Sequence, residues 1–328
     1  MSLIVDTFGR KVEYLRLSVT DRCDFRCVYC MGEDPCFLER DQVLSLEELA
    51  WVGQAFTELG VKKIRLTGGE PLVRTDCDRL VKLLGELPGL TELSMTTNGS
   101  RLTKFAQKMR GSGLARLNIS LDTLKPELFT DLTRNGKLER VIQGIDAAKA
   151  AGFKRIKINA VILRGQNDDE VLDLIEFCRG RELDIAFIEE MPLGVIDERK
   201  KSRHCSSEEV KAIISQRYPL TVSDKRTGGP ARYYTMPGSS IHVGFISPHS
   251  NNFCHECNRV RVTVEGRLLL CLGNEHSVDL KAIVREFPGD IERLKTAILE
   301  AIKRKPKEHV FGDEGDVQIL RFMNTTGG

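Results

Sequence analysis

Tyr14-Leu15-Arg16-Leu17-Ser18-Val19-Thr20-Asp21-Arg22-Cys23-Asp24-Phe25-Arg26-Cys27-Val28-Tyr29-Cys30 is the stretch from which the rest of the chain can be read. Its first six residues alternate large apolar and polar side chains, the period of a strand. Three cysteines follow at C-x3-C-x2-C spacing, so a group of thiols stands where a strand ends. Such a group is a metal site before it is anything else. A structural zinc takes four ligands in a closed tetrahedron, and an iron–sulfur cluster is usually held by four cysteines. In a 4Fe–4S cluster, Cys23, Cys27 and Cys30 would take three irons and leave the fourth to a small molecule. A zinc completed by a distant His or Asp fits the same spacing, which leaves the two metals level, and chance clustering among ten cysteines is the plain alternative to both.

Outward from this loop the chain repeats one rhythm. Ser45-Leu46-Glu47-Glu48 is a capping box, and Leu49, Val52, Phe56 and Leu59 continue at helical spacing until Gly60. Lys63 to Thr67 reads as a strand and runs into Gly68-Gly69-Glu70-Pro71. There follow a strand Leu93 to Thr97, a helix from Thr103, a strand Arg116 to Leu121 and a helix Leu138 to Ala150. A strand Arg155 to Leu163, a capped helix Asn167 to Arg179 and a strand Ile185 to Glu189 complete the series. Strands alternating with helices imply an α/β fold with a parallel sheet. Six such units predict an open, partial (β/α)6 TIM-like barrel, with the chemistry at the strands' carboxyl ends.

The pattern changes near Pro192. Glu198 to Arg203 is a charged linker, a helix opens at Ser206, and short strand-like runs broken by Gly and Pro follow from Leu220. They predict a smaller α+β region with a little antiparallel sheet, closed by helices Leu280 to Glu286 and Ile291 to Lys303. The expected units are therefore 1–192 and 193–328.

Composition narrows the class. Of 328 residues, 41% are apolar and 29% charged, which suits a folded globular chain. Lys plus Arg (49) nearly balance Asp plus Glu (47), and a net charge of +2 gives no broad field for gripping nucleic acid. Met1 to Asp6 have neither the basic start nor the apolar core of a signal peptide, and no apolar run nears the ~20 residues of a membrane helix. A cytoplasmic protein is expected. Ten cysteines are too sparse for a disulfide framework. Cys36, Cys77, Cys178 and Cys205 lack partners at ligand spacing, and Cys178 reads as helix core.

The other three cysteines lie in Phe253-Cys254-His255-Glu256-Cys257-Asn258-Arg259-Val260-Arg261 and at Cys271, a C-x2-C-x13-C spacing. Spacing alone favours zinc here, with His249, His255 or His276 as the fourth ligand. Arg259 and Arg261 alternate on a strand, so they share a face. In Gly68-Gly69-Glu70 the glycines permit positive φ and close approach of a ligand, and the carboxylate can take an ammonium group. Taken singly, Ser120 reads as a strand-end hydrogen-bonder and Met191 as core.

Together these stretches carry a family resemblance. C-x3-C-x2-C with Tyr29 before the last cysteine resembles the signature of radical S-adenosylmethionine (SAM) enzymes, and Gly68-Gly69-Glu70-Pro71 resembles that family's GGEP motif. The run from Gly244-Phe245-Ile246-Ser247-Pro248 through Cys254, Cys257, Asn258-Arg259-Val260-Arg261 and Cys271-Leu272 looks like the carboxy-terminal region of MoaA-type GTP 3′,8-cyclases. Those are the first enzymes of molybdenum-cofactor (molybdopterin) biosynthesis. The resemblance implies two 4Fe–4S clusters, one on Cys23, Cys27 and Cys30 and one on Cys254, Cys257 and Cys271, each with an open iron. SAM would chelate the first and the guanine of GTP the second.

By the same resemblance Tyr29, Gly68, Gly69, Glu70, Ser120 and Met191 contact SAM. Arg16, Arg65, Thr96, Lys157, Arg259, Val260 and Arg261 contact GTP. The tail Gly327-Gly328 reaches into the active site, with Thr326 where an aliphatic residue is expected. The implied activity is that of a lyase. A 5′-deoxyadenosyl radical abstracts the ribose 3′ hydrogen, the sugar radical adds to guanine C8, and 3′,8-cyclo-7,8-dihydro-GTP results. A flavodoxin- or ferredoxin-type donor would supply the electron and a MoaC-type enzyme would take the product, with neither membrane nor nucleic acid involved. The sequence leaves the oligomeric state open, a homodimer being compatible with it. Two rivals stand beside this. A radical SAM peptide-modifying enzyme usually carries more than three carboxy-terminal cysteines. A zinc protein that binds nucleic acid without chemistry is opposed by the near-neutral charge and by the Gly-Gly-Glu-Pro turn.

Overall fold

Six strands of the first half form where the alternation of apolar and polar residues places them. The computed structural model describes residues 3–32, 34–191, 203–248, 250, 253–274, 276–309 and 323–327. β1 (Tyr14–Ser18), β2 (Lys63–Thr67), β3 (Glu92–Thr97), β4 (Arg116–Ser120), β5 (Ile156–Ile162) and β6 (Asp184–Glu189) pair in parallel in that order. Helical crossovers make this order possible, because parallel neighbours cannot be joined by a tight turn. α1 (Leu46–Glu58) starts at Ser45, whose side chain and that of Glu48 form the predicted capping box. It buries Leu49, Val52 and Phe56 completely, a gain of about 1.5–3 kcal/mol for each large side chain.

α2 (Cys77–Gly85), α3 (Leu102–Gly111), α4 (Pro126–Thr133), α5 (Leu138–Ala150) and α6 (Val171–Arg179) complete the series. Sequence reading missed α2 and α4. α2 opens from Asp76 in a left-handed conformation with no side-chain cap, so it carries no start signal. Asn167 is not the expected cap of α6, which a short 3-10 turn, Asp168–Glu170, precedes. Its side chain instead accepts from the Leu163 amide at 2.7 Å and donates to the carbonyls of Asp122 at 2.7 Å and Val161 at 2.9 Å, locking the end of β5.

The carboxy-terminal region departs from expectation. Its strands are β7 (Thr221–Val222), β8 (Arg232–Thr235), β9 (Val243–Ile246), β10 (Arg259–Val262), β11 (Arg267–Leu269) and β12 (Ser277–Asp279). β9 joins β6 in parallel and β10 joins β1 in parallel, so the region extends the barrel sheet at both edges. Antiparallel pairing is confined to the outer strands, and the order is β12-β11-β10-β1-β2-β3-β4-β5-β6-β9-β8-β7. Val243, Gly244 and Phe245 form a continuous buried run, the mark of a strand covered on both faces.

α7 (Ser207–Ser215) carries the second capping box, Ser206 with Glu209. α8 (Leu280–Glu286), α9 (Ile291–Ile302) and the short α10 (Met323–Thr326) follow. Most of the predicted charged linker, residues 198–202, lies outside the described residues. No helix among the described residues is long and apolar enough to cross a membrane.

Candidate active site

The sheet brings the two cysteine groups to two adjoining cavities. The first, of about 180 Å³, is lined by Cys23, Cys27 and Cys30 together with Tyr29, Gly68, Gly69, Ser120 and Met191. Asp24 anchors the cysteine loop by accepting from Asn98 Nδ2 at 2.7 Å, Ser100 Oγ at 2.9 Å and Arg101 Nε at 3.1 Å, all at the end of β3. Burial pushes the Cys23 and Cys30 thiols up to about 12 and raises Cys27 well above its ordinary value, so a metal must displace their protons.

The two glycines after β2 serve a closer contact than a ligand's. A Cβ on Gly68, at φ +141°, would sit 2.2 Å from the Thr20 carbonyl oxygen, and one on Gly69 would sit 2.2 Å from that of Arg22. The Gly69 and Glu70 amides donate to those carbonyls at 2.8 and 2.9 Å, fastening this turn to the cysteine loop. Glu70 does not offer its carboxylate to the cavity as expected. It is fully buried and accepts from the Leu72 amide at 3.0 Å, Thr97 Oγ1 at 2.8 Å and the Asn98 amide at 2.6 Å. Burial lifts its pKa to about 7 against the pull of these donors. The carboxylate ties β2 to β3, and what faces the cavity is glycine backbone.

The second cavity, of about 170 Å³, is lined by Cys254, Cys257 and Cys271 and by Arg16, Arg65, Lys157, Arg259, Val260 and Arg261. Register explains the cations. Arg261 on β10 pairs with Arg16 on β1, which pairs with Arg65 on β2, setting three guanidinium groups on one face of adjacent strands. Val260 points the other way, buried in the core, and offers the cavity little but backbone. Arg65 stacks 5.4 Å from the Tyr14 ring and Arg259 4.8 Å from that of Phe253. Among the described residues no carboxylate forms an ion pair with Arg65, Lys157, Arg259 or Arg261.

Buried like charges depress one another. Burial first and Arg261 next hold Arg16 well below its ordinary pKa. Burial, Arg65 and Arg116 do the same to Lys157, and burial with Arg259 brings Arg261 down to about 10. Such an arrangement favours an anion placed opposite these groups. Thr96 lines the first cavity rather than the second, at the seam between them.

The tail enters the same space. The Met323 amide donates to the Cys30 carbonyl at 3.2 Å and Asn324 Nδ2 to that of Asp21 at 3.4 Å, while Arg261 Nη1 donates to the Gly327 carbonyl. Thr326, an exception to the aliphatic expectation, is buried and returns its hydroxyl to the Met323 carbonyl at 3.3 Å. Gly328 lies outside the described residues, as does His249.

Two anchors of the second cysteine group were not foreseen. Arg10 donates to the carbonyls of Cys254 at 2.7 Å, Pro306 at 2.6 Å and Lys307 at 2.7 Å. Lys305, 3% exposed, donates to Cys257 Sγ at 3.5 Å, the Arg259 carbonyl at 3.2 Å and the Leu270 carbonyl at 2.6 Å, which occupies all three ammonium protons. Burial raises the Cys257 thiol, but Lys305 and Arg259 outweigh it and bring the pKa down to about 7. Nothing local marks Lys305, which follows Lys303-Arg304 and reads as a solvated helix end.

Among the described residues no three His, Cys, Asp or Glu side chains are gathered so as to hold a single metal ion. Each cysteine group lines a cavity wall instead, a donor set suited to a cluster with one iron left to a ligand. Comparison with known proteins agrees with this arrangement. Residues 17–178 match the Radical SAM superfamily and residues 183–311 match Molybdenum Cofactor Synthesis C. A GTP 3′,8-cyclase of Pseudomonas putida (strain W619) is 60% identical over 327 residues, covering 99% of this chain and 98% of the relative.

The chain belongs to the GTP 3′,8-cyclase family.

Other cyclases of the family agree in length as well as sequence. That of Marinobacter nauticus is 58% identical over 326 residues, covering 99% of this chain and 98% of the relative. GTP 3′,8-cyclase 2 of Pseudomonas aeruginosa is 56% identical, covering 100% and 99%. Among solved structures, Streptococcus suis SuiB bound to S-adenosylmethionine superimposes with a TM-score of 0.63 at 17% identity, over 90% of this chain and 69% of that one. That likeness shows the partial-barrel fold. As a radical SAM member of the cyclase family, the chain works with S-adenosylmethionine and 4Fe–4S clusters.

Proposed function

We propose that this protein converts GTP to 3′,8-cyclo-7,8-dihydro-GTP, the first step of molybdenum-cofactor biosynthesis. The observation that carries the reading is the placement of two three-cysteine groups on two adjoining cavities, with the cation row of Arg261, Arg16 and Arg65 beside the second. Cys23, Cys27 and Cys30 would hold the first cluster, and Tyr29, Gly68, Gly69, Ser120 and Met191 the bound SAM. Glu70 acts at one remove by fixing the glycine turn. Cys254, Cys257 and Cys271 would hold the second cluster. When bound, the first cluster and SAM would supply an adenosyl radical, the reagent able to remove the ribose 3′ hydrogen.

The chain's own groups then determine what that radical meets. Arg16, Arg65, Lys157, Arg259 and Arg261 bind the triphosphate and so fix the sugar, which is most of what an enzyme must do for an indiscriminate reactant. The tail, held by Arg261 at Gly327, closes the cavity against water. Residues 1–192 and 193–328 act as barrel and lid-bearing region on one shared sheet. We place the protein in the cytoplasm, supplied by a flavodoxin- or ferredoxin-type donor and followed by a MoaC-type enzyme.

The test is turnover on protein reconstituted without oxygen. About eight irons with matching sulfide, as two cubanes require, and GTP-dependent formation of the cyclised product with 5′-deoxyadenosine and methionine support the reading. Stoichiometric zinc without iron, or SAM cleavage with no GTP product, overturns it.

A further inference from the structure

Where the two cavities meet, a set of buried polar atoms has no hydrogen-bond partner among the described residues: Thr96 Oγ1, both carboxamide atoms of Asn118, and Asn159 Oδ1. Asn118 is in the middle of β4 and fully buried. It pairs in register with Thr96 on β3 and with Lys157 on β5, so the three side chains leave the sheet on one face. Two residues further on, Ser120 pairs with Asn159. Asn118 and Asn159 line the cavity of the second cysteine group, while Thr96, Ser120 and Asn159 line that of the first.

A carboxamide buried with both ends unpaired is strongly unfavourable, and an apolar side chain would fill the same strand position without that penalty. The amide therefore faces something that accepts from Nδ2 and donates to Oδ1. A phosphate accepts only, and Lys157 and the arginines already face that chemistry. A sugar hydroxyl donates and accepts at once, whichever way the amide is turned. On the cyclase reading the ribose would lie at this seam, between SAM over the first cysteine group and the base at the second.

We propose that Asn118 binds the ribose hydroxyls of GTP and makes the site selective for the ribonucleotide. The inference rests on the reading of the site as a GTP cyclase.

The test uses holoenzyme reconstituted without oxygen and measures dissociation constants for GTP, 2′-deoxy-GTP, 3′-deoxy-GTP and ITP. The native protein and the Asn118→Leu and Asn118→Asp variants are compared. The native protein is expected to bind at least one deoxy analogue about tenfold to a hundredfold more weakly than GTP, the range for a buried group left unpaired. Asn118→Leu should weaken GTP by a similar factor, bring the GTP-to-deoxy ratio near one, and leave the GTP-to-ITP ratio alone. An unchanged GTP-to-deoxy ratio overturns the inference, and so does a loss confined to the GTP-to-ITP ratio, which would set the amide against the base. Should Asn118→Leu fail to fold, the native ratios and the isosteric Asn118→Asp carry the test, since a native protein indifferent to both deoxy analogues overturns it alone. A native protein that binds no GTP overturns the cyclase reading and this inference with it, whereas GTP binding with unmoved ratios overturns this inference only.

Discussion

Gly327→Ala is the substitution that the structure resolves most sharply. Gly327 has φ +79°, and a Cβ there would lie 2.5 Å from Thr67 Cγ2, 3.2 Å from Thr67 Oγ1 and 3.4 Å from the Gly68 amide nitrogen. A left-handed alanine costs about 1–2 kcal/mol. The methyl clash cannot be relieved cheaply, since Thr67 is β-branched, 1% exposed and held in β2. Overpacking of this kind costs about 1–3 kcal/mol, so the docked tail loses about 2–5 kcal/mol altogether. Against this stand the Arg261 contact to the Gly327 carbonyl and the bonds that Met323 and Asn324 make to the cysteine loop. Net hydrogen bonds are worth about 0.5–1.5 kcal/mol, or up to about 3 where one partner is charged. The strain is comparable with the hold, and the docked population should fall by about 30-fold or more. Hydrogen exchange at residues 323–327 reads this directly: protection should be lost while the melting temperature of the sheet stays put. Gly111→Ala, where a Cβ meets nothing within 4 Å, is the control. Retained protection with retained GTP turnover would refute the steric argument.

Three further outcomes follow from the site. Arg259→Ala and Arg261→Ala should abolish GTP turnover while SAM cleavage continues uncoupled; equal loss of both activities would remove these residues from the substrate. Lys305→Met deletes the donor to Cys257 Sγ and should lower the reduction potential of one of two clusters in an EPR-monitored titration, a potential unmoved with iron retained being the contrary result. Lys157, with its pKa depressed by burial, binds its proton less tightly in the folded protein than in the unfolded chain, so its burial destabilises at low pH and that penalty is relieved as pH rises through the folded pKa. A bound triphosphate raises that pKa again. GTP binding should therefore take up protons at alkaline pH and weaken as pH rises, which calorimetry in two buffers of different ionisation enthalpy would show; the absence of proton uptake would contradict the contact.

What could be read in advance was local. The capping box of Ser45 and Glu48 and the period of Leu49, Val52 and Phe56 announce α1, and the turn after β2 is written in Gly68 and Gly69. Pairing of β10 with β1 and of β9 with β6 joins segments far apart in the chain, and no short pattern encodes a partner. That pairing is nonetheless what sets Arg261 beside Arg16. Glu70 was legible as a residue but not in its orientation, which depends on Thr97 and Asn98 from the next strand. Asn118, between Leu117 and Ile119, reads as the outward position of an alternating strand; only a sheet curved round a lumen makes that face interior.

The most direct measurement of the central claim is the fate of deuterium from GTP labelled at ribose C3′, turned over with SAM by the protein reconstituted without oxygen. One deuterium is expected in each 5′-deoxyadenosine released alongside the cyclised product, because the triphosphate held by Lys157 and the arginines and the ribose held at Asn118 would set C3′ beside the first cavity. 5′-Deoxyadenosine free of label, formed while GTP is consumed, would contradict it.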